Sequence, residues 1–145
     1  MRVMRRSIGY VAAVGMAVAG LNLAAAPSAF AGAYGCPGSQ IGAYNLIGTN
    51  NEVWSTAYLY YSSAGGGTNC AVLVAKKFAG TRHPMKIGIR IGNGTRTEDE
   101  GNFHSYAGPV SKTSTNGRCI TLSLSEEDPQ RRNWAGRSVD DVACG

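Results

Sequence analysis

Histidine is scarce in this 145-residue sequence, and the spacings that build common catalytic or metal sites are missing. The two histidines are His83 and His104. No G-x-S-x-G segment presents a nucleophilic serine, and the cysteines form neither a C-x-x-C pair nor a close cluster with a histidine. A D-x-D-x-D calcium loop is also missing. The sequence therefore predicts no catalytic constellation, no cofactor and no metal site.

Each histidine has an ordinary structural interpretation. His83 stands directly before Pro84, which predicts a turn. His104 lies in a predicted strand between an aromatic residue and a serine, so we expect it on a surface or at an edge. A further alternative is that the protein is a small secreted hydrolase that uses His104 as its general base.

Charged residues gather in three segments of the chain. Glu98 to Glu100 and Asp140 to Asp141 are rich in carboxylate oxygens, but Arg96 stands beside the first cluster, so solvated acidic loops are predicted rather than calcium sites. The stretch from Ser125 to Arg137 combines Glu, Asp, Pro and Arg residues. It is predicted to be a charged surface loop.

The first 31 residues have the organisation of a secretory signal peptide. Three arginines precede an apolar stretch from Ile8 to Leu21, and Ala29-Phe30-Ala31 supplies a small-residue cleavage pattern. The apolar stretch is shorter than the roughly 20 residues that span a bilayer. We therefore predict a leader at 1–31 and a single mature domain at 32–145, secreted and without a membrane anchor.

Cleavage before Gly32 also decides the charge of the mature chain. A second triplet, Ala24-Ala25-Ala26, would leave Pro27 as the first mature residue, so we prefer Gly32. Three of the 14 basic residues and none of the nine acidic ones belong to the leader, which leaves a net charge of +2. This excess is too small for an electrostatic nucleic-acid footprint.

All four cysteines lie in the predicted mature chain, at Cys36, Cys70, Cys119 and Cys144. An even count in an exported protein indicates disulfides, and four cysteines allow three pairings. We favour Cys36–Cys70 and Cys119–Cys144, because these pairings close loops of moderate length and tie down both termini. Such loops stabilise a fold by about 3 to 4 kcal/mol each in the chain-entropy model.

Short alternating segments predict an all-β domain. The alternation is clearest in Met85–Gly92 and Arg118–Ser125, which read as half-buried strands, with Cys119 on the polar face of the second. Cys70–Ala75 is apolar on both faces, as in a central strand. Val53–Tyr61 is a further strand. With frequent turns, this pattern predicts a sandwich or barrel of about six to eight short antiparallel strands.

Aromatic residues are concentrated in the Val53–Tyr61 strand. Its alternation sets Trp54, Tyr58 and Tyr60 on one face, where flat rings are able to cover the apolar face of a sugar. These three are the candidate surface-binding residues. The competing interpretation is that they are common strand residues, half-buried beneath a loop or the other sheet.

Two segments resemble a known family. Tyr58 to Ser62 leads through three glycines to Thr68-Asn69-Cys70, and the run from Gly101 to Val110 is followed by Gly117-Arg118-Cys119. Together with the order of the cysteines, these segments are similar to the spore-associated protein A family of streptomycetes. The resemblance implies a secreted protein at the spore or cell surface of a filamentous actinomycete, and it brings no catalytic residues.

The leading functional hypothesis is thus a non-enzymatic secreted protein, with spore-surface or cell-wall components as its partners and with no role for nucleic acid or membrane. The alternative is a proteinaceous inhibitor of a secreted hydrolase, suggested by the size, the export signal and the two bridges. No disulfide-braced reactive loop is identifiable in the sequence.

Overall fold

Alternating apolar and polar residues form eight strands in the computed structural model, which describes residues 32–145. The predicted leader, 1–31, lies outside the described residues. In chain order the strands are β1 (Ser39–Ile47), β2 (Val53–Ser62), β3 (Thr68–Ala75), β4 (His83–Ile91), β5 (Thr97–Phe103), β6 (Tyr106–Lys112), β7 (Ile120–Glu127) and β8 (Trp134–Val142). Between residues 32 and 145 no helix is long and apolar enough to cross a membrane.

The strands form two antiparallel sheets, and the predicted all-β class is confirmed. The first sheet has the order β1-β2-β3-β6, and the second has the order β5-β4-β7-β8. Glycine-containing turns join neighbouring strands at Gly65–Gly67 and Asn93–Gly94, as their dipeptides predict. Because the chain passes between the sheets after β3, β5 and β6, residues far apart in sequence become neighbours.

The core lies between the inner faces of the two sheets. Met85, Ile87 and Ile89 of β4 face inward and are at most 2% exposed, which confirms the alternation of that strand. They meet a layer of smaller side chains from the first sheet and the apolar positions of β7, namely Ala57, Leu59, Ala71, Leu73, Ala107, Ile120, Leu122 and Leu124. Close packing of these aliphatic groups is the main source of stability.

Strand β3 is central in the first sheet, as its sequence predicts. It pairs with β2 on one side and β6 on the other. Ala71 and Leu73 point into the core, whereas Val72 and Val74 are buried on the opposite face, in a second cluster with Cys36 and Tyr60. The outer face of the first sheet is therefore covered at its centre.

The Cys36–Cys70 bridge holds the N-terminal segment over this outer face. Cys36 is fully buried, and Gly32 approaches the Tyr60 ring. The second predicted bridge, Cys119–Cys144, is also present, and the described residues contain no free cysteine.

The free edges of the sheets are tied together by hydrogen bonds. On one side, the backbone N–H of Gly108 in β6 donates to Oδ2 of Asp99 in β5, at 2.7 Å. On the other side, Nη1 of Arg137 in β8 donates to the backbone oxygen of Asn45 in β1, at 2.7 Å. Each contact satisfies one backbone group of an edge strand.

The local predictions for His83 and for the segment from Ser125 to Arg137 are wrong. His83 does not lie in a turn: it is the first residue of β4, and its side chain is fully buried. The segment from Ser125 to Arg137 is not one surface loop, because β7 continues through Glu127 and β8 begins at Trp134. At both places the side chain is part of the interior, where His83 and Glu126 are paired.

Candidate functional site

The structure separates the three aromatic residues that the sequence places on one face. Trp54 is buried at the end of the first sheet, where its ring packs against Gly48 and lies 5.1 Å from Phe78. Tyr58 and Tyr60 belong to the outer cluster with Val72 and Val74. Trp54 therefore presents no free ring face, whereas Tyr58 is partly exposed.

Two further tyrosines join Tyr58 and Tyr60. Tyr106 of β6 and Tyr34 of the N-terminal segment meet edge to face, with ring centroids 5.1 Å apart. Each is 39% exposed. We call Tyr34, Tyr58, Tyr60 and Tyr106 the tyrosine cluster.

Tyr34 occupies this position at a conformational cost. Its φ of 61° and ψ of 24° lie in the left-handed region, which costs a non-glycine residue roughly 1 to 2 kcal/mol. Two residues later, the Cys36–Cys70 bridge fixes the segment to β3. The bridge and the contact with Tyr106 thus hold the Tyr34 ring on the sheet.

Strand pairing sets the tyrosine cluster in a face of low charge. Directly opposed residues share a face, so the outer face includes three rows that cross the first sheet. These rows are Gln40-Tyr60-Cys70-Ser111, Ala43-Tyr58-Val72 and Asn45-Thr56-Val74-Tyr106. Carboxylates are absent from all of these positions.

Lys76 places an ammonium group beside the tyrosine cluster. Its ammonium group donates to the Tyr58 hydroxyl at 3.2 Å and lies 5.5 Å from the centre of the same ring. It has no carboxylate partner within residues 32–145, whereas its neighbour Lys77 pairs with Glu52.

Tyr60 lies within electrostatic reach of Tyr34 and Tyr58. Burial raises the pKa of Tyr60, and the nearby Tyr34 and Tyr58 phenols raise it further. The raised pKa keeps Tyr60 protonated at neutral pH, so its hydroxyl acts as a neutral donor and acceptor. Such a surface is able to stack on apolar ring faces and to hydrogen-bond with hydroxyl groups.

Sequence reasoning missed Tyr34 and Tyr106. Tyr34 precedes every strand, and Tyr106 lies two strands away from Tyr58 in the sheet. One signal was present, since Tyr106 belongs to the run that carries the family resemblance. The position of Tyr34 depends on the disulfide pairing and the strand order together.

A second cluster of chemically active residues is buried between the sheets. Nε2 of His83 lies 2.7 Å from Oε1 of Glu126, and Nδ1 donates to the backbone oxygen of Thr81 at 2.6 Å. Burial raises the pKa of Glu126, and Ser55 and His83 oppose part of that rise. The Ser55 hydroxyl lies beside the carboxyl without a well-aligned hydrogen bond to it.

This buried cluster is not arranged as a Ser-His-acid triad. In a triad the serine hydroxyl contacts one imidazole nitrogen and the acid contacts the other. In this protein both nitrogens of His83 have other partners, and the serine lies next to the acid instead. His83 and Ser55 are fully buried, so a substrate has no access to them.

The remaining candidate residues lie apart on the surface. His104 is exposed, as predicted, but in the bend between β5 and β6 rather than within a strand. The two acidic segments are not loops, contrary to the prediction: Glu98 to Glu100 lie in β5 and Asp140 to Asp141 lie in β8. Glu98 and Glu100 pair with Lys86 on the outer face of the second sheet, while Asp99 accepts a hydrogen bond from the Gly108 backbone N–H. Within residues 32–145 no group of three potential metal ligands comes together.

A groove of about 280 Å³ opens at one end of the sandwich, next to the Cys119–Cys144 bridge. It is lined by Ile41, Tyr61, Thr115, Asn116, Gly117, Ala143 and Gly145. None of these side chains is charged, and the Thr115 hydroxyl is engaged with Asn69 at 2.8 Å. None of the groove's lining residues is a His, Asp, Glu, Lys or Cys.

Comparison with known proteins places the chain in a family. No family model and no solved structure matches it. Spore-associated protein A of Streptomyces coelicolor is 38% identical to it over 117 residues, covering 74% of this chain and 71% of the relative. At that identity and coverage, and in agreement with the motifs around Tyr58 and Tyr106, the chain belongs to the spore-associated protein A family.

Proposed function

We propose that this protein is a non-enzymatic secreted protein that associates with the spore or cell surface through the tyrosine cluster. The observation that carries the proposal is the low-charge outer face of the first sheet, with its partly exposed tyrosines. The name of the Streptomyces coelicolor relative supports a spore-related location. The predicted leader supports export from the cell that produces the protein.

The tyrosine cluster is better suited to adhesion than to catalysis. It consists of four tyrosines and the adjacent Lys76, and it includes no histidine and no carboxylate, the side chains that most often act as general acids or bases. The second sheet provides the contrast. Its outer face carries the usual solvated ion pairs, including Lys86 with Glu98 and Glu100 and Arg96 with Glu98.

Fractionation of a culture of the producing organism tests this proposal. Medium, hyphal wall and spores are separated and probed with an antibody against the mature protein. We expect the protein in the wall or spore fraction and its depletion from that fraction in the Tyr106→Ala variant. Trp134→Ala is the matched control, because Trp134 is a 66%-exposed aromatic residue on the other sheet. Recovery of the wild-type protein from the medium alone would overturn the proposal.

Turnover is tested separately with the purified protein in a broad screen of hydrolase substrates. We expect no activity above that of a heat-treated sample. Activity that disappears in the His104→Ala variant would contradict the non-enzymatic assignment, because His104 is the exposed histidine of the described chain.

A further inference from the structure

We propose that the tyrosine cluster and Lys76 form a binding site for an acidic polysaccharide, that is, a sugar polymer that carries carboxylate groups. This inference rests on the proposed function and names the class of partner that the surface would bind. It is drawn from the ring arrangement and from the distribution of charge on the first sheet.

The rings provide the contacts for the sugar units. Tyr34 and Tyr106 form an edge-to-face pair at 5.1 Å, so they offer two differently oriented surfaces. Tyr58 lies across the sheet from Tyr106, with β3 between their strands. Aromatic rings placed at intervals along a sheet suit an extended chain of apolar-faced rings better than a single small molecule.

The strain at Tyr34 is an independent reason to assign a role to that ring. A tyrosine in the left-handed region is unfavourable, whereas a glycine accepts the same φ and ψ without cost. Gly35 follows directly and also has a positive φ, of 81°. A side chain placed at the strained position thus adds a partly exposed ring to the outer face.

The charge pattern selects an acidic polymer over a neutral one. Lys76 is exposed and its ammonium group has no carboxylate partner in the described chain, so it is free to pair with an anion. The three rows of the outer face contain no carboxylate that would repel one. Glu52, near the end of the sheet, is held by Lys77.

The experiment compares polygalacturonate with its methyl-esterified form, which has the same sugar backbone without the negative charges. Binding of the full mature protein is measured by affinity electrophoresis and calorimetry. We expect binding to polygalacturonate that weakens with added salt, and weaker binding to the ester.

Matched variants locate the site. Tyr106→Ala is expected to weaken binding about tenfold or more, as for a tyrosine at the centre of a contact surface. Tyr34→Gly removes the other ring and relieves the strained backbone, so it should weaken binding without unfolding the protein. Lys76→Gln should weaken binding about two- to fivefold at low salt. Lys86→Gln and Trp134→Ala, which change the second sheet, should leave binding unchanged.

Several results would overturn the inference. These are the absence of binding to polygalacturonate, equal binding to the ester, or loss of binding in Trp134→Ala in place of Tyr106→Ala. A dimer in sedimentation that Tyr106→Ala dissociates would also overturn it, since a second copy would then cover the face. If the protein is present on spores but does not bind the polymer, only this inference is overturned. If the protein binds the polymer but is absent from spores and cell walls, only the proposed location is overturned.

Discussion

Nε2 of His83 lies 2.7 Å from Oε1 of Glu126, and both side chains are shielded from solvent. The contact joins the start of β4 to the end of β7 in the centre of the second sheet. Phe78 packs against the imidazole with ring centroids 5.4 Å apart, and it also contacts Trp54. This polar pair therefore lies at the end of the sandwich where the chain passes from β3 in the first sheet to β4 in the second.

Loss of the acid from this pair should be costly. Glu126→Ala leaves the imidazole of His83 without its buried hydrogen-bond partner, and an unsatisfied buried polar group costs about 1 to 3 kcal/mol of unfolding free energy. Urea unfolding monitored by tryptophan fluorescence measures the difference. Glu127→Ala is the control, because Glu127 is the next residue and is partly exposed on the opposite face. Similar costs for both variants would show that the pair has no special role.

The same carboxyl should make stability depend on pH. Burial raises the pKa of Glu126 above its value of 4.5 in the unfolded chain, so the folded protein holds this proton more tightly. The contribution of Glu126 is therefore fully present below about pH 4.5 and is lost as the pH rises through the raised pKa.

Glu126→Gln isolates this contribution. The amide is uncharged at every pH and retains hydrogen-bonding groups near Nε2 of His83, so the fold should survive. Unfolding free energies measured at a series of pH values above about 4.5 should decline less steeply for the variant than for the wild type. Identical slopes would mean that Glu126 keeps the same proton affinity in both states.

Asp128 predicts a pH dependence of the opposite sign. Hydrogen bonds from the backbone of Arg132 and the side chain of Asn133, at 3.0 and 2.6 Å, lower the pKa of Asp128. Its stabilising effect is present above the ordinary value of 3.8 and is lost as the pH falls through the lowered pKa. The Asp128→Asn variant should lack this acid-induced loss, and Asn133→Ala should show an intermediate loss. Acid titration of the unfolding midpoint distinguishes them.

The two disulfides should differ in what they control. The Cys36→Ala and Cys70→Ala double variant is expected to lose about 3 to 4 kcal/mol and to release Tyr34 from Tyr106, because the bridge anchors the N-terminal segment. Hydrogen exchange should then increase first in residues 32–38. The Cys119→Ala and Cys144→Ala double variant should loosen the C-terminus but keep the tyrosine cluster intact. Equal release of Tyr34 in both variants would contradict this division.

The alternation of apolar residues was enough to predict β4 and most of β7, because a half-buried strand must place every second side chain in the core. The doubly apolar pattern of Cys70–Ala75 likewise predicted a central strand, and glycine-rich dipeptides predicted the turns. These features depend on neighbours in the sequence. The predicted export, the cysteine number and the loop lengths favoured the two bridges that the structure contains.

Only the tertiary structure determined that Glu126 is buried and where Tyr34 lies. A glutamate in a charged run resembles a loop residue until a buried histidine from another strand is placed opposite it. Tyr34 reaches Tyr106 because β6 returns to the first sheet beside β3 and because Cys36 is bonded to that same strand. Both contacts join segments distant in sequence, and local composition does not encode which distant segments will meet.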